Sequence, residues 1–494
     1  MRKRLPIFYN ALLLTGVNLL LRFVSTSFQV HISGRIGAEG VGLLQLVMSV
    51  GALAMTAGMA GVRTATMYLT AEELGKKRPG NVVWVLSGCF LYSILCSGCI
   101  SLALYLFAPQ LASSWIGDPR TVDAIRLFAL FIPLVCLCGC MTGYFTAANR
   151  IGTLAAVEIA EQLCYMAVTM SALHFWAGTD ASKACEAVVL GSGISACLTL
   201  TVLVILRIRE HSPTGKRIPV SSRLLQTAVP LALADDLRSG ISTTENLMVP
   251  KRLALYPGEL TPLATFGAVC GMVFPVMMFP AAILFALAEL LIPELARCAA
   301  AGSTNRIRYL VKQSLRVAVL YGCLCSGILF LLADDLCLRL YGDTVAGGYL
   351  KKYSILVPML YCDAITDAMT KGLGQQKVCV RYNIITSAMD VVFLYLLLPR
   401  YGMSGYFFSF LVTHLLNFML SLRRLLKITG LRIPFHAPAL VGAAVTAAVA
   451  GAATVSNAVW RTIAFLLLFF CLLVLFNVIS KKDAVWLKGL VYKQ

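Results

Sequence analysis

The sequence contains few charged residues for its length. Asp, Glu, Lys and Arg account for 13% of 494 residues, whereas about a quarter of the residues in ordinary soluble domains are charged. Hydrophobic residues account for 59%, and the mean hydropathy is +0.81. This composition excludes a soluble domain and predicts an all-α polytopic membrane protein built from apolar segments of about 20 residues.

Acidic residues are scarcer than basic ones. The chain has 23 Asp and Glu against 42 Lys and Arg, which gives a net charge of +19. A basic protein could bind nucleic acid, but here the basic residues lie in short clusters between apolar segments. That distribution is typical of a membrane protein, so we expect no nucleic-acid partner.

Motifs for nucleotides and metals are also missing. The sequence has no Walker A pattern and no His and Cys set with metal-ligand spacing. The 17 cysteines are scattered through apolar segments, as Cys136, Cys138 and Cys140 illustrate. We interpret them as small buried hydrophobic residues rather than a disulfide framework or a zinc site, and we expect no cofactor.

The N-terminus imitates a secretory signal peptide, because Met1-Arg-Lys-Arg4 precedes an apolar segment. The segment is long, contains Asn18 and Arg22, and has no persuasive small-residue cleavage site before the next span. We interpret it as a retained first transmembrane helix. A glycine-rich turn over residues 34–42 is predicted to join it to the second.

Apolar segments between charge clusters predict fourteen transmembrane spans. They cover residues 7–31, 41–70, 82–108, 124–147, 153–176, 187–207, 224–249, 263–292, 310–332, 353–371, 378–398, 404–422, 436–455 and 459–479. Of the Lys and Arg residues, 28 fall on one side of this arrangement, 11 on the other and 3 within spans. The positive-inside rule therefore predicts that both termini are cytoplasmic.

The most basic connection, residues 207–223, contains Pro213, Gly215 and Pro219 and is typical of a linker. Features recur across it, since Arg22 is followed 216 positions later by Arg238. These recurrences predict two six-helix lobes in a parallel pseudo-repeat, plus two appended helices. The predicted boundaries are 1–210 for the N-terminal lobe, 211–223 for the linker, 224–430 for the C-terminal lobe, and 431–494 for the last two helices and a cytoplasmic tail.

Three stretches resemble a known family. They are ISGRIGAEGVGLLQLVMSVGALAMTAGMAGV (32–62), GYFTAANR (143–150) and LMVPKRL (247–253). They resemble the polysaccharide-flippase branch of the multidrug/oligosaccharidyl-lipid/polysaccharide (MOP) exporter superfamily, mainly the stage V sporulation protein B group and more distantly the lipid II flippases. The resemblance implies a two-lobed, alternating-access fold in the bacterial cytoplasmic membrane and a polyprenyl-diphosphate-linked saccharide as substrate.

Three arginines lie within predicted spans and are candidate ligands of such a substrate. A guanidinium in hydrocarbon costs roughly 2.5–3.5 kcal/mol, so it usually faces a polar cavity or a partner. Its planar fork suits a diphosphate. Snorkelling of the side chains to the membrane surface is the alternative interpretation. The candidates for the diphosphate and sugar cavity are Arg22, Arg63 and Arg238.

The seventh span is unusually acidic. Asp235, Arg238 and Glu245 share one helical face, and Asp236 is offset from it. One interpretation is that Asp235 neutralises Arg238 locally, because paired charges are cheaper to bury. The other is that protonation or a cation at Asp235 or Glu245 releases Arg238 for phosphate and couples transport to an ion gradient.

Further polar stripes are predicted to line a cavity or a gate, or to join helices by hydrogen bonds. They are formed by Glu158 and Glu161 in the fifth span and by Asp363, Asp367 and Lys371 in the tenth. Because no nucleotide motif is found, the energy for transport would come from an ion or substrate gradient or from the membrane potential.

The leading hypothesis is a flippase that moves a lipid-linked peptidoglycan precursor or another envelope glycan from the inner to the outer leaflet. Its partners would be that glycan, the bilayer and a coupling ion, and the chain would act as a monomer. A cation-coupled multidrug exporter of the same fold is the alternative. A membrane-embedded glycosyltransferase is disfavoured, because no connection between spans is long enough for an external catalytic domain.

Overall fold

The computed structural model describes residues 5–76, 78–177, 180–209, 220–431, 436–476 and 478. These residues form helices and no β-strand, which confirms the predicted all-α class. Most of the predicted linker, residues 211–219, and the predicted cytoplasmic tail after residue 478 lie outside the described residues.

The chain divides into two compact units. Unit 1 runs to Gly271 and also includes Asp390–Tyr406, while unit 2 comprises Met272–Met389 and the chain from Phe407 onward. Unit 1 therefore continues past residue 224, where the sequence repeat predicts the second lobe to begin. The repeat boundary and the limit of a compact unit are different properties, so the predicted lobes remain a prediction.

Unit 1 contains the first eight α-helices. They are α1 (Leu5–Met59), α2 (Val62–Gly75), α3 (Val82–Gln110), α4 (Val122–Ala147), α5 (Ile151–Ala172), α6 (Ala181–Arg209), α7 (Ser221–Leu253) and α8 (Pro262–Phe266). Short π-helical segments extend α3 to Ile116 and α5 to Ala177.

Unit 2 contains most of the remaining helices. They are α9 (Phe274–Met278), α10 (Ala281–Ala300), α11 (Thr304–Tyr341), α12 (Thr344–Ser354), α13 (Val357–Gly372), α14 (Gln376–Tyr401), α15 (Met403–Thr429), α16 (His436–Ala452) and α17 (Ala458–Leu475). The limits of the units divide α14 and α15, so the end of α14 and the start of α15 belong to unit 1.

The predicted glycine-rich turn is much shorter in the structure than in the sequence analysis. Only Gly37 leaves the helical conformation, with φ 71° and ψ 175°, and α1 continues on both sides of it. Gly42 is helical and allows close packing, since a Cβ there would lie 2.3 Å from the Leu263 carbonyl oxygen. The prediction of a turn over residues 34–42 was therefore wrong in extent, since a glycine can serve close approach as well as a turn.

Each predicted span coincides with helical residues, although the count of fourteen stays a prediction. Among the described residues, eight helices are long and apolar enough to cross a membrane, or nine when the bent pair Pro262–Met278 and Ala281–Ala300 is counted as one span. The chain is thus a multi-pass membrane protein. Helix α7 is not among these eight helices, because it carries four charged residues and the criterion selects apolar helices. These residues are Asp235, Asp236, Arg238 and Glu245.

In unit 2 the hairpin of α16 and α17 packs on α11. The ring of Phe465 fills the space beside Gly327, where a Cβ would lie 2.2 Å from the ring. Arg461 Nη1 donates to the Leu331 carbonyl oxygen at 3.1 Å and lies 3.6 Å from Asp335. The two C-terminal helices are therefore held by an apolar cluster and by a polar contact at one end of α11.

Candidate functional site

Helix α7, which carries four of the predicted site residues, packs against α1 and α2. Thr243 Oγ1 donates to the Ser49 carbonyl oxygen at 3.1 Å, and Asn246 Nδ2 donates to Ser49 Oγ at 2.9 Å. Nearer its start, the Ala228 carbonyl oxygen would lie 2.5 Å from a Cβ on Gly61. Hydrogen bonds and close backbone approach together fix the rotation of α7, and so decide where its charged side chains point.

The charged side chains of α7 are not neutralised within the helix. Asp235 and Arg238 are both exposed, and no ion pair joins them although they are three positions apart. Asp236 is half-buried, and none of the described residues donates a hydrogen bond to its Oδ1. The geometry therefore does not support the interpretation that Asp235 pairs with Arg238, and the side chain of Arg238 is exposed.

Arg63 lies at the start of α2 with its backbone fixed and its side chain exposed. A Cβ on Gly143 of α4 would lie 2.4 Å from the Arg63 carbonyl oxygen, so the two helices touch there. Arg63 is close enough to Glu158 of α5 to interact with it electrostatically, and Glu158 in turn interacts with Glu161. Unit 1 thus brings together one predicted substrate residue and two predicted gate residues, without forming a salt bridge between them.

Arg22 lies on the first segment of α1, before the break at Gly37, and is exposed. The contacts of α7 described above involve Ser49 on the second segment of α1, together with α2. The predicted arrangement of Arg22 and Arg238 around one cavity therefore stays a prediction.

Glu245 and Asp390 approach each other in unit 1. Glu245 is half-buried on α7, and Asp390 of α14 is near enough to act on it electrostatically. The charge pattern of the sequence singles out Glu245 but not this neighbour, which lies far away along the chain.

The polar stripe of α13 in unit 2 makes one interhelical contact and one ion pair within the helix. Asn417 Nδ2 of α15 donates to both carboxylate oxygens of Asp363, at 3.2 and 3.1 Å, and Asn417 is only 6% exposed. Lys371 Nζ lies 2.6 Å from Asp367 Oδ2. The bonds of Asp363 are of the kind that joins membrane helices, and the assignment of Asp363, Asp367 and Lys371 to a cavity or gate stays a prediction.

Sequence analysis missed a charged cluster at the predicted cytoplasmic end of unit 1. Arg223 Nη2 lies 2.6 Å from Glu72 Oε2, and Arg223 Nη1 lies 3.1 Å from Glu73 Oε1. Asn81 Nδ2 donates to Glu73 Oε2 at 3.0 Å. The cluster joins the end of α2 to the start of α7. The adjacent acids Glu72 and Glu73, set among basic residues, were the available signal, but their partner could not be chosen from sequence.

A second cluster lies at the other end of unit 1. Asp118 accepts two hydrogen bonds from Arg120 Nε at 3.0 Å and one from Arg120 Nη2 at 2.6 Å, and it also caps the backbone N–H of Arg120. The guanidinium of Arg120 holds the pKa of the Asp118 carboxyl below its ordinary value. Arg120 also reaches Glu39 of α1 at 3.4 Å, so the cluster ties the start of α4 to α1.

The sequence of the chain matches that of known proteins. Residues 15–179 match the MatE family model. Over 411 residues the chain is 22% identical to stage V sporulation protein B of Bacillus subtilis (strain 168), in an alignment that covers 79% of this chain and 77% of that protein.

Solved structures share the fold at low sequence identity. An inward-facing multidrug resistance MATE family transporter of the MOP superfamily superposes with a TM-score of 0.67 and 12% identity over 84% of this chain and 98% of that one. The lipid II flippase MurJ in an inward closed conformation gives a TM-score of 0.67 and 12% identity over 96% of this chain and all of the other. The predicted resemblance is confirmed: this multi-pass membrane protein has the fold of the MOP transporter superfamily and carries its MatE sequence pattern over residues 15–179.

Proposed function

We propose that the chain is an alternating-access flippase that moves a polyprenyl-diphosphate-linked saccharide from the inner to the outer leaflet of the bacterial cytoplasmic membrane. The observation that carries the proposal is the exposure of Arg63 and Arg238 within predicted spans, where neither forms an ion pair with a described residue. A structural arginine in hydrocarbon is normally paired. An arginine that is kept unpaired is suited to an anionic substrate.

The chemistry of the substrate explains why arginine is used. Flipping breaks no covalent bond, so a nucleophile or a catalytic base is unnecessary. The diphosphate must instead be sheltered from hydrocarbon, and guanidinium groups bind phosphate oxygens through two parallel hydrogen bonds. Arg22, Arg63 and Arg238 would supply these bonds, while the polyprenyl tail stays in lipid.

Carboxylates near these arginines would control when they are available. We assign Asp235, Asp236 and Glu245 to ion coupling, because a proton or a cation bound there changes the charge beside Arg238. Glu158 and Glu161 would act similarly on Arg63, as residues of the cavity or its gate. Binding of an ion would then shift the balance between inward-facing and outward-facing states by its different affinity for the two.

A reconstituted system tests the proposal. The purified chain would be placed in liposomes with a fluorescent polyprenyl-diphosphate saccharide, and a membrane-impermeant quencher would report the fraction in the outer leaflet. The same fluorophore on phosphatidylethanolamine controls for non-specific scrambling. We expect exchange of the diphosphate lipid alone. Equal exchange of both lipids, or of neither, would refute the proposal.

The alternative is a cation-coupled exporter of organic cations. It is favoured by the acidic residues of α7 and by the fold shared with a multidrug resistance MATE family transporter. It is disfavoured by the arginines, which would repel a cationic drug. Ion-dependent uptake of an organic cation into the same liposomes, without leaflet exchange of the saccharide lipid, would establish the alternative.

A further inference from the structure

The helix of the second predicted span is broken in unit 1. Ala60 has φ 41° and Gly61 has φ 71°, so two consecutive left-handed residues separate α1 from α2. Such a break leaves carbonyl oxygens without helical donors, which is costly in a membrane unless another group supplies the hydrogen bond. Tyr92 of α3 supplies one, because its hydroxyl donates to the Ala60 carbonyl oxygen at 3.2 Å.

The helix of the eighth predicted span is broken in unit 2. The segments Pro262–Met278 and Ala281–Ala300 are bent by 62°. Pro280 lies at the bend, where its ring removes one backbone donor. Tyr321 of α11 donates its hydroxyl to the Pro280 carbonyl oxygen at 2.8 Å. The same kind of donor thus binds a carbonyl at the break in each unit.

A second donor accompanies each tyrosine. Cys136 Sγ of α4 approaches the Met55 carbonyl oxygen at 4.0 Å in unit 1. Tyr361 of α13 donates to the Met277 carbonyl oxygen at 2.8 Å in unit 2. A thiol is a weak donor, so the unit 1 contact is the looser of the two. In both units the second contact lies a few residues before the break.

These contacts correspond across the predicted repeat. The two tyrosines are 229 positions apart and their acceptors 220, while the second donors are 225 apart and their acceptors 222. In each unit the helices involved are the second, third and fourth spans of a predicted lobe. Two unrelated breaks would have no reason to use the same spans of each lobe and a tyrosine hydroxyl as first donor, at separations that agree within nine positions.

We propose that the breaks at Ala60–Gly61 and at Phe279–Pro280 are equivalent bending points, and that Tyr92 and Tyr321 stabilise the bent state of each. In a straight helix the amide of residue 64 would bond the Ala60 carbonyl oxygen, so the tyrosine hydroxyl competes with straightening. One neutral hydrogen bond is weak enough to be made and broken during a cycle. The proposal rests on the transport function proposed above, for which such bending would open and close a path.

Hydrogen–deuterium exchange of the full chain in nanodiscs tests the proposal, with variants that keep the aromatic ring. Tyr92→Phe should favour the straight helix, in which the amide of residue 64 bonds the Ala60 carbonyl oxygen. It should therefore lower amide exchange over residues 60–66 by up to about fivefold, as expected for one lost hydrogen bond, and leave residues 279–285 unchanged. Tyr321→Phe should lower exchange over residues 279–285 and leave residues 60–66 unchanged. Tyr105→Phe on α3 and Tyr309→Phe on α11 are matched controls, because both residues are exposed and neither hydroxyl caps a break. The controls should leave both segments unchanged.

Unchanged exchange in both Tyr92→Phe and Tyr321→Phe would overturn the proposal, as would equal changes in the control variants. Ala60→Gly gives an independent test if a tyrosine variant does not fold. Glycine adopts positive φ without strain, so this variant should favour the bent state, in which the first amides of α2 have no helical acceptor, and should raise exchange over residues 60–66. A fall there would contradict the proposal.

The transport assay separates this proposal from the proposed function. Variants that alter exchange at a bending point should also change the rate of leaflet exchange by at least about twofold. Altered amide exchange with an unchanged rate of leaflet exchange would overturn the link to transport. A wild-type chain without leaflet exchange would refute the proposed function, while the bending points would still be judged by amide exchange.

Discussion

Arg223→Gln is expected to loosen the start of α7 from the end of α2. Arg223 contacts Glu72 at 2.6 Å and Glu73 at 3.1 Å, and Asn81 provides the remaining side-chain bond to Glu73. The two ion pairs of Arg223 connect α7 to α2 at this end, while the Asn81 bond holds Glu73 against the start of α3. A glutamine keeps much of the side-chain volume but removes the charge.

The two carboxylates contribute differently. Glu72 has a side chain that is 30% exposed, so its pair with Arg223 should contribute about 0–1 kcal/mol, as surface pairs do. Glu73 is 3% exposed, and leaving it with Asn81 alone should cost about 1–3 kcal/mol. Their sum is about 1–4 kcal/mol, and the middle of that range, about 2.5 kcal/mol, corresponds to roughly a 70-fold increase in local opening.

Amide exchange in nanodiscs over residues 69–76 and 221–228 measures this opening. Arg78→Gln is the matched control, since Arg78 is exposed at the same end of unit 1. A double-mutant cycle should give a larger coupling of Arg223 to Glu73 than to Glu72. Exchange like that of the control, or a coupling confined to Glu72, would refute the argument that burial determines the strength of this contact.

Three further predictions concern stability in detergent. Gly61→Ala should lower the free energy of unfolding by about 1–3 kcal/mol, because its φ is 71° and a Cβ would meet an α7 carbonyl oxygen at 2.5 Å; an unchanged melting temperature would contradict this. Asn417→Leu should lower the free energy of unfolding by a similar amount, because it leaves Asp363 without its amide donor. Asp363→Asn should lower it less than Asn417→Leu does, and the reverse order would contradict the argument that Asn417 stabilises the Asp363 carboxylate. Arg120 lowers the pKa of Asp118 in the folded state, so the ion pair stabilises the fold above the pKa of Asp118 in the unfolded chain, and this stabilisation is lost as the pH falls below about 4. Asp118→Asn should therefore flatten the pH dependence of the melting temperature below about pH 4.

The helices were largely predictable from sequence. Apolar length and flanking charge predicted spans that coincide with helical residues, because the bilayer requires continuous hydrogen bonding and a fixed length of apolar chain. The interruptions were less predictable. A glycine at residue 37 interrupts the helix whereas Gly42 packs against a neighbour, and both uses look the same in one sequence. Ala60 adopts a positive φ that its residue type does not suggest.

The residues of the candidate site stay a prediction, and the structure shows which contacts some of them make. Arg63, Arg238 and Glu245 were singled out because an ionisable side chain in hydrocarbon is costly and usually faces a polar cavity or a partner. Helical spacing suggested that Asp235 pairs with Arg238, but sharing a face does not decide which rotamers meet. Partners such as Arg223 and Glu73 lie far apart along the chain, so their contact could be found only from the folded structure.

Leaflet exchange by a variant that combines Arg22→Ala with Arg238→Ala tests the central claim most directly. The reconstituted variant would be compared with the wild type and with Arg339→Ala, a matched control whose arginine is exposed at one end of α11. If the intramembrane arginines hold the diphosphate, the double variant should lose exchange of the fluorescent saccharide lipid while the control retains it. Exchange at the wild-type rate in the double variant would contradict that account.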